Sequence, residues 1–324
     1  MESRRLTVIV TRRLPAAVEA RLADLFGAAL RRDDAPMSRA ELAEAVAGCD
    51  VLVPTLTDRI DAALLAEAGP RLKLIASFGA GTDHIDLSAA GERGIRVSNT
   101  PDVLTEDTAD IVLALILSAM RGLGDGERTL RAGHWTGWSP TNLLGRSVTG
   151  KGLAIVGMGR IGRAVARRAR ACGMHIHYHN RRRLDAVAEA ETAARWWPEL
   201  DPLLRRADVV ALCCPYSPET HHLIGTRRLA MMRPGAFLIN AARGAVVEEE
   251  ALIAALERGA LAGAGLDVYP REPEVDARLI GVPNVALLPH LGSATVETRI
   301  AMGEKVVANI LAWSRGEDLP DGVS

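Results

Sequence analysis

The segment "GLAIVGMGRIG", residues 152–162, is the most informative part of this chain. Its apolar run "LAIV" predicts a buried strand, and the residues that follow predict a helix that ends at Gly173. Between them, Gly157, Gly159 and Gly162 have the GxGxxG spacing. The first glycine permits a tight turn, the second lets the backbone approach a pyrophosphate, and the third lets the helix lie close to the strand. A tight turn without a ligand is the alternative, but the strand–turn–helix context favours a dinucleotide-binding site.

The next predicted strand leads into "YHNRRR", residues 178–183, where dinucleotide-binding folds normally carry an acidic side chain for the ribose hydroxyls. Asn180 occupies that position and removes the repulsion that a carboxylate would exert on a 2′-phosphate. Arg181, Arg182 and Arg183 follow it, and guanidinium groups suit a phosphate dianion. The segment therefore predicts a preference for NADP(H), with NAD(H) still possible. The alternative is a solvated basic turn without cofactor preference, since arginine is common in this chain.

Strands and helices alternate through nearly the whole sequence. Short apolar runs end in turns rich in glycine, proline or polar residues, and they predict two series of strands joined by helices. Such alternation is typical of parallel sheets with crossover connections. We therefore expect an α/β protein with two doubly wound parallel-sheet domains and the active-site cleft between them. The predicted strands lie at residues 6–10, 51–54, 72–78, 95–99, 153–156, 175–180, 208–214, 236–242, 263–269 and 284–290.

A chain of 324 residues is long enough for two domains, each with its own core. A helix predicted at residues 293–314 carries the chain past the second series of strands and can pack back on the first. We therefore expect a discontinuous, flavodoxin-like domain made of residues 1–100 and 291–324. Residues 101–290 would form the Rossmann-type dinucleotide-binding domain.

Composition and charge argue against several classes of protein. The formal net charge is -1 and the pI is about 6.7, so no global basic field is available to attract nucleic acid or a membrane surface. The longest apolar run, residues 111–120, is about half of what a membrane span needs. The four cysteines lack CxxC or zinc-like spacing, which suits a reducing compartment. We expect a cytoplasmic protein that binds neither nucleic acid nor membranes and requires no metal.

Three polar residues stand just beyond late strands of the second series. Arg243 follows "LINAA", Glu272 follows "LDVYPR", and His290 ends "NVALLPH". Taken singly, they would be a surface arginine, a loop glutamate and a core histidine with a satisfied hydrogen bond. Open parallel sheets bind ligands at the carboxyl ends of their strands, so the three together predict an acid–base site.

Other motifs accompany the glycine turn in a characteristic order. "NAARGAVV", "GLDVYPREP" and "LLPHLGSAT" follow it, and "SFGAGTDHIDL" (77–87) and "LTEDTAD" (104–110) precede it. Together they resemble the D-isomer-specific 2-hydroxyacid dehydrogenases over essentially the whole chain. "HWTGWSPTNLLG" (134–145) and the arginine-rich turn are most similar to the NADP-dependent glyoxylate/hydroxypyruvate reductase branch.

The resemblance implies NADPH-dependent reduction of a small 2-keto acid, such as glyoxylate or hydroxypyruvate, to the D-2-hydroxy acid. His290 matches the family's proton donor, and Glu272 matches the carboxylate that holds it and favours its protonated form. Arg243 matches the cation that binds the substrate's carboxylate and carbonyl groups. The backbone at Ala80 and Gly81 would hold the substrate carboxylate.

The resemblance also implies the cofactor contacts and the assembly. Trp138 resembles a tryptophan that projects toward the partner subunit's active site and contacts the substrate there. The predicted helix at 105–121 and the segment before the glycine turn are too apolar to face water, and the resemblance implies a homodimer that uses them. The positions that match cofactor-binding residues of the family are Gly157, Gly159, Arg160, Ile161, Gly162, Asn180, Arg181, Arg182, Arg183, Cys214, Pro215, Thr220, Ala241, Asp267, His290 and Gly292.

Two alternatives remain at this point. One is an NAD-linked member of the same family, such as a phosphoglycerate or formate dehydrogenase, although Asn180 stands where those enzymes usually have aspartate. Glu272 argues against formate oxidation, in which no alkoxide is protonated. The other alternative is a non-catalytic NAD(H)-sensing corepressor on the same scaffold, against which the intact set of Arg243, Glu272 and His290 argues.

Overall fold

The computed structural model describes residues 6–323, and the chain divides into two compact units. One unit contains the residues up to Leu104 together with those from Ala294 onward, and the other runs from Thr105 to Ser293. The boundaries expected from the sequence, after residues 100 and 290, lie a few residues earlier. The substrate role of the first unit and the cofactor role of the second stay predictions.

The elements alternate along the chain, as the sequence predicts. In chain order, the first are β1 (Val8–Val10), α1 (Ala16–Phe26), α2 (Arg39–Gly48), β2 (Val51–Val53), α3 (Ala62–Ala66), β3 (Leu74–Ala76), α4 (Leu87–Glu92) and β4 (Arg96–Ser98). They are followed by α5 (Thr105–Arg121), α6 (Leu123–Arg131), β5 (Gly152–Val156), α7 (Arg160–Ala171), β6 (His175–His179), α8 (Ala186–Thr192), β7 (Arg195–Trp196), α9 (Leu200–Leu204), β8 (Val209–Leu212) and α10 (Thr226–Leu229). The last are β9 (Phe237–Asn240), a short 3-10 turn (Gly244–Val246), α11 (Glu249–Glu257), β10 (Gly263–Leu266), α12 (Ala277–Gly281), β11 (Val285–Leu287) and α13 (Val296–Ser314).

The first unit contains a parallel sheet in the order β1–β2–β3–β4. A parallel bridge from Ile9 to Ala29 adds a short fifth segment on the outer side of β1. Numbered along the chain, the five segments have the order 2-1-3-4-5 of a flavodoxin-like sheet. Helices cover both faces of this sheet. Alternate residues of each strand point to opposite sides, so each strand contributes to the core on both faces. In β2, Val51 and Val53 pack with α1 and α13, whereas Leu52 packs with α2, α3 and their neighbours.

The second unit contains a seven-stranded parallel sheet in the order β11–β10–β9–β8–β5–β6–β7. The chain moves outward from β5 to β7, then returns to β8 on the other side of β5, so the direction of winding reverses between β5 and β8. Leu153 and Ile155 of β5 pack with α5 and α7, and Ala154 and Val156 pack into the core on the opposite face. In such sheets the ligand crevice lies at the carboxyl ends of the strands beside the point of reversal.

These two sheets confirm the predicted α/β class with two parallel-sheet units. The sequence did not predict the two-residue edge strand β7 or the bridge at Ala29, because both are too short to show an apolar pattern. Over residues 6–323, none of the helices is long and apolar enough to cross a bilayer.

Candidate active site and dinucleotide-binding turn

His290 and Glu272 form a hydrogen-bonded pair in the second unit. The ring Nδ1 of His290 lies 2.7 Å from Oε2 of Glu272, and the two side chains are 25% and 26% exposed. An ionised carboxylate can only accept, so Nδ1 carries a hydrogen and the other ring nitrogen, Nε2, can exchange a proton with a ligand. The second oxygen of Glu272, Oε1, accepts the backbone N–H of Tyr269 at 2.9 Å. The carboxylate is therefore held at both oxygens.

Local electrostatics keep Glu272 ionised. Burial acts to raise the pKa of Glu272. The hydrogen bonds from His290 and from the Tyr269 N–H lower that pKa, as does the nearby charge of Arg243, and the net pKa of Glu272 lies below its usual value. The ionised carboxylate accepts the hydrogen of His290 Nδ1 and so fixes the tautomer and orientation of the ring.

The turn that carries His290 is fixed by Asp267 at the end of β10. The Asp267 carboxylate is buried and accepts the N–H groups of Leu291 and Gly292 at 2.7 and 2.9 Å. The Oγ1 of Thr108, in the first turn of α5, donates to the carbonyl of Gly292 at 2.9 Å. His290 itself has a φ of 56°, a left-handed conformation that costs free energy in a residue with a side chain and that surrounding bonds must hold. Burial raises the pKa of Asp267.

Arg243 is brought to the same end of the sheet by the turn after β9. The Asn240 side chain donates to the Arg243 carbonyl at 2.9 Å and accepts the Ala242 N–H at 3.1 Å. The next residue, Gly244, packs so closely on the chain at Tyr269 that a Cβ there would collide with backbone atoms. The turn of Arg243 is therefore pressed against the turn of Glu272. The structure brings together the three residues that the sequence predicts as an acid–base site.

The glycine turn has the geometry that the motif predicts. Gly157 has a φ of 98°, and a Cβ there would collide with the backbone of Cys214 in the loop after β8. Gly159 precedes α7 and provides no side-chain cap, so the amino end of that helix keeps N–H groups for a ligand. Arg160 and Ile161 form the first helical positions, and Ile161 packs against the core.

Asn180 has a structural role that sequence reasoning missed. Its Oδ1 accepts the backbone N–H of Met158 at 2.7 Å, so the side chain braces the glycine turn from the end of β6. An aspartate would accept the same bond, so this contact leaves the argument from charge unchanged. In the sequence, the contact between Asn180 and Met158 is indicated only by the presence of a polar residue after β6.

The three arginines after Asn180 differ in their surroundings, although all are exposed. Arg183 is bound by Glu189 through two hydrogen bonds, at 2.9 and 2.7 Å, and lies over the Trp196 ring. Arg181 and Arg182 make no hydrogen bond or ion pair with any residue that the structure describes.

The remaining predicted cofactor residues lie in loops at the carboxyl ends of the strands. Cys214 and Pro215 follow β8, and the Oγ1 of Thr220 donates to the carbonyl of Pro215 at 2.9 Å and accepts the Ser217 N–H at 2.7 Å. Ala241 follows β9 directly. Their contacts with a cofactor stay predictions.

Three further predicted substrate-binding residues lie in other segments of the chain. Ala80 and Gly81 belong to the first unit, in the loop after β3, where Asn99 donates to the Ala80 carbonyl at 2.6 Å. Trp138 lies in a segment of the second unit without helix or strand and is 84% exposed. The roles predicted for these residues stay predictions. Over residues 6–323, no group of three or more His, Cys, Asp or Glu side chains is arranged to hold a metal ion.

Comparison with known proteins places this geometry in a family. A model of the "D-isomer specific 2-hydroxyacid dehydrogenase, NAD binding domain" matches residues 113–292. The chain is 43% identical to the glyoxylate reductase of Thermococcus onnurineus over 317 residues, which cover 97% of this chain and 94% of that protein.

Solved structures agree with that match. A Thermus thermophilus protein superposes with a TM-score of 0.90 at 45% identity, covering 98% of this chain and 100% of its own. The NADPH-dependent glyoxylate/hydroxypyruvate reductase of Sinorhizobium meliloti, solved with NADP and malonate, gives 0.89 at 34% identity, with coverage of 99% and 97%. The family predicted from the motifs is confirmed: the chain is an enzyme of the D-isomer specific 2-hydroxyacid dehydrogenase family.

Proposed function

We propose that this enzyme uses NADPH to reduce a small 2-keto acid, glyoxylate or hydroxypyruvate, to the corresponding D-2-hydroxy acid. The observation that carries the proposal is the 2.7 Å pair of His290 and Glu272 beside the charge of Arg243. A proton donor and a fixed cation are what a carbonyl needs when it is reduced to an alcohol. The similarity to glyoxylate reductases over nearly the whole chain supports the choice of substrate.

The residues present fit a dinucleotide. The Gly157 turn excludes side chains, the amino end of α7 has no side-chain cap, and Asn180 braces the turn between them. The nicotinamide cofactor, when bound, supplies the hydride that the keto carbon accepts.

The chain's own residues handle the charge that develops on the substrate oxygen. As negative charge grows there, Nε2 of protonated His290 delivers a proton to it. Arg243 binds the substrate carboxylate and stabilises the developing oxyanion. Ionised Glu272 accepts from Nδ1 and so fixes the orientation of the imidazole, which leaves Nε2 for the substrate oxygen. In the reverse direction, neutral His290 takes the hydroxyl proton.

The preference for NADPH over NADH is part of the proposal. Arg181 and Arg182 extend from the end of β6 without partners in the described chain, and neutral Asn180 replaces the carboxylate that would repel a 2′-phosphate. A hydrogen bond between a guanidinium and a phosphate is worth about 1.5–3 kcal/mol. Because both side chains are exposed, we expect the lower end of that range for each contact.

We also propose that the enzyme is a cytoplasmic homodimer. Large apolar side chains are exposed in and after α6, in a segment of the second unit that precedes β5. Exposed patches of this kind commonly mark protein interfaces. Their exposed fractions are Leu123 55%, Leu130 62%, Trp135 54%, Trp138 84%, Leu143 50% and Leu144 75%. Sedimentation at micromolar concentration should give a dimer, and a monomer would contradict this part of the proposal.

A screen of 2-keto acids tests the reaction. Glyoxylate, hydroxypyruvate and pyruvate are each mixed with NADPH or NADH, and absorbance of the reduced cofactor is followed. We expect oxidation of NADPH with glyoxylate or hydroxypyruvate, and none with His290→Asn beyond a small residual rate. A parent protein that binds the cofactor but turns over none of the acids would support the corepressor alternative. A parent that works equally well or better with NADH would support the NAD-linked alternative.

A further inference from the structure

We infer that Glu189 is a specificity-determining residue that restrains the preference for the 2′-phosphate by neutralising Arg183. This inference rests on the proposed use of NADPH. It implies that the arginine-rich turn presents two available cations rather than three. The enzyme would then prefer NADPH while keeping measurable use of NADH.

Two hydrogen bonds pair Arg183 with Glu189. The Nε of Arg183 donates to Oε1 of Glu189 at 2.9 Å, and its Nη2 donates to Oε2 at 2.7 Å. This is a bidentate pair, the strongest arrangement between these two side chains. The Glu189 side chain is 15% exposed and that of Arg183 is 60% exposed, so the carboxylate forms the buried half of the pair. The guanidinium also lies 5.7 Å from the centre of the Trp196 ring.

A buried tyrosine fixes Glu189 to the sheet. Tyr178, in β6, is fully buried, and its hydroxyl donates to Oε1 of Glu189 at 2.6 Å and accepts the Leu184 N–H at 3.0 Å. The hydrogen bonds from Arg183 and Tyr178 lower the pKa of Glu189 to about 2, so it is ionised at any working pH. Glu189 is therefore a permanent negative charge anchored beside the turn.

The neighbouring arginines have no comparable partner. Arg181 and Arg182 are exposed and make no hydrogen bond or ion pair within the described residues. The pKa of Glu219 is lowered mainly by the hydrogen bonds of its carboxylate, and the charge of Arg181 makes a smaller contribution in the same direction. A 2′-phosphate would therefore meet two unpaired guanidinium groups and one whose charge is already balanced.

Removal of the Glu189 charge should strengthen binding of the phosphate. One unit charge several ångströms from a phosphate dianion, near a protein surface and in physiological salt, changes affinity by about three- to tenfold. Glu189→Gln keeps an oxygen that can accept from Tyr178 and frees Arg183 for the ligand. Glu191, on the same helix, is exposed and its side chain has no partner in the described chain, so Glu191→Gln is a matched control for the change in net charge.

The test is calorimetric binding of adenosine 2′,5′-bisphosphate and of 5′-AMP to the full-length parent and both variants. We expect Glu189→Gln to bind the bisphosphate about three- to tenfold more tightly than the parent does, with 5′-AMP unchanged and Glu191→Gln close to the parent. Kinetic constants should agree, with a lower KM for NADPH and an unchanged kcat. Equal changes for both ligands, or weaker binding of the bisphosphate, would overturn the inference, because Glu189 would then be a structural residue or one that orients Arg183 productively.

The outcomes separate this inference from the proposed cofactor. If the parent does not prefer the bisphosphate but Glu189→Gln does, the proposed NADPH preference fails and the inference about Glu189 holds. If the parent prefers the bisphosphate and Glu189→Gln leaves the ratio of the two affinities unchanged, the proposed NADPH preference holds and the inference about Glu189 fails. If neither protein prefers it, both are wrong. The melting temperature shows whether Glu189→Gln folds. If it does not fold, Glu189→Ala, which removes the same charge, provides a second measurement.

Discussion

The loops that follow β10 and β11 differ from the loop that follows β6, although all belong to the same seven-stranded sheet. Beyond β10 and β11, Glu272 is held at both oxygens and Asp267 accepts two backbone N–H groups. Beyond β6, one of three consecutive arginines is paired, and Arg181 and Arg182 extend into solvent. The side chains of the first region are fixed by the protein's own hydrogen bonds, whereas two of the three arginines in the second region have no such bonds within the part of the chain that the structure describes.

This difference separates chemistry from selection of the cofactor. A preorganised donor acts on the transition state, so its removal should lower kcat by orders of magnitude. Exposed charges act mainly on binding and are screened by salt, so their removal should change KM by smaller factors.

The largest effect is expected from loss of the proton donor. His290→Asn should lower kcat with glyoxylate by about 10²- to 10⁴-fold, because it removes the proposed general acid. The loss should be the same with NADPH and NADH in steady-state assays. A loss that differs strongly between the cofactors would show that His290 serves cofactor binding as well.

The partner of His290 should have an intermediate effect. Glu272→Gln replaces the carboxylate that accepts from Nδ1 by an amide, which no longer fixes the tautomer and orientation of the ring, so kcat should fall by about ten- to a hundredfold. The measurement is kcat and KM for the 2-keto acid with parent and variant under identical buffers. Full activity of the variant would make Glu272 an ordinary loop residue.

Glu272 also links stability to pH. Its pKa in the folded enzyme is below the usual 4.5, so its contribution to the free energy of unfolding is complete above pH 4.5 and is lost as pH falls through the lower folded value. The difference in that free energy between parent and Glu272→Gln, measured by urea denaturation, should therefore be constant from pH 8 to about 5 and shrink below it. A difference that grew toward acid would reverse the assigned sign.

A smaller effect is expected at the turn that carries His290. Asp267→Asn leaves one backbone N–H facing an amide NH₂, so the free energy of unfolding should fall by about 1–3 kcal/mol. The kcat should fall less than in Glu272→Gln, since the direct contact between His290 and Glu272 remains. Asp110→Asn is a suitable control, because it removes an exposed ion pair with Arg168 and should change stability by about 0–1 kcal/mol. Equal losses in the two variants would contradict the role of Asp267.

Much of this architecture could be predicted from the sequence. The strands are apolar runs bounded by glycine, proline and polar residues, so the parallel sheets, the glycine turn and the placement of Arg243, Glu272 and His290 beyond late strands all follow from local patterns. The ladder positions in β6 lie within the predicted span, and those in β5 extend one residue beyond it, to Gly152.

What could not be predicted depends on contacts between distant segments. The bond from Asn180 to the Met158 N–H joins two loops that share no local pattern, and so does the capture of Arg183 by Glu189. The sequence indicates three equivalent arginines, but the fold balances the charge of one of them. The edge strand β7 is too short and too polar to have a periodic pattern.

The double variant Arg181→Ala/Arg182→Ala shows whether cofactor choice and chemistry are separable. Kinetic constants for this variant are measured with NADPH and NADH on the same 2-keto acid. We predict that kcat/KM for NADPH falls by roughly tenfold to a few hundredfold through KM, because two charge-assisted hydrogen bonds are lost. Saturated kcat should stay within about twofold of the parent, and the constants for NADH should hardly change. An unchanged NADPH/NADH ratio would show that these arginines do not select the cofactor, and a fall in kcat with both cofactors would show that they take part in the chemistry.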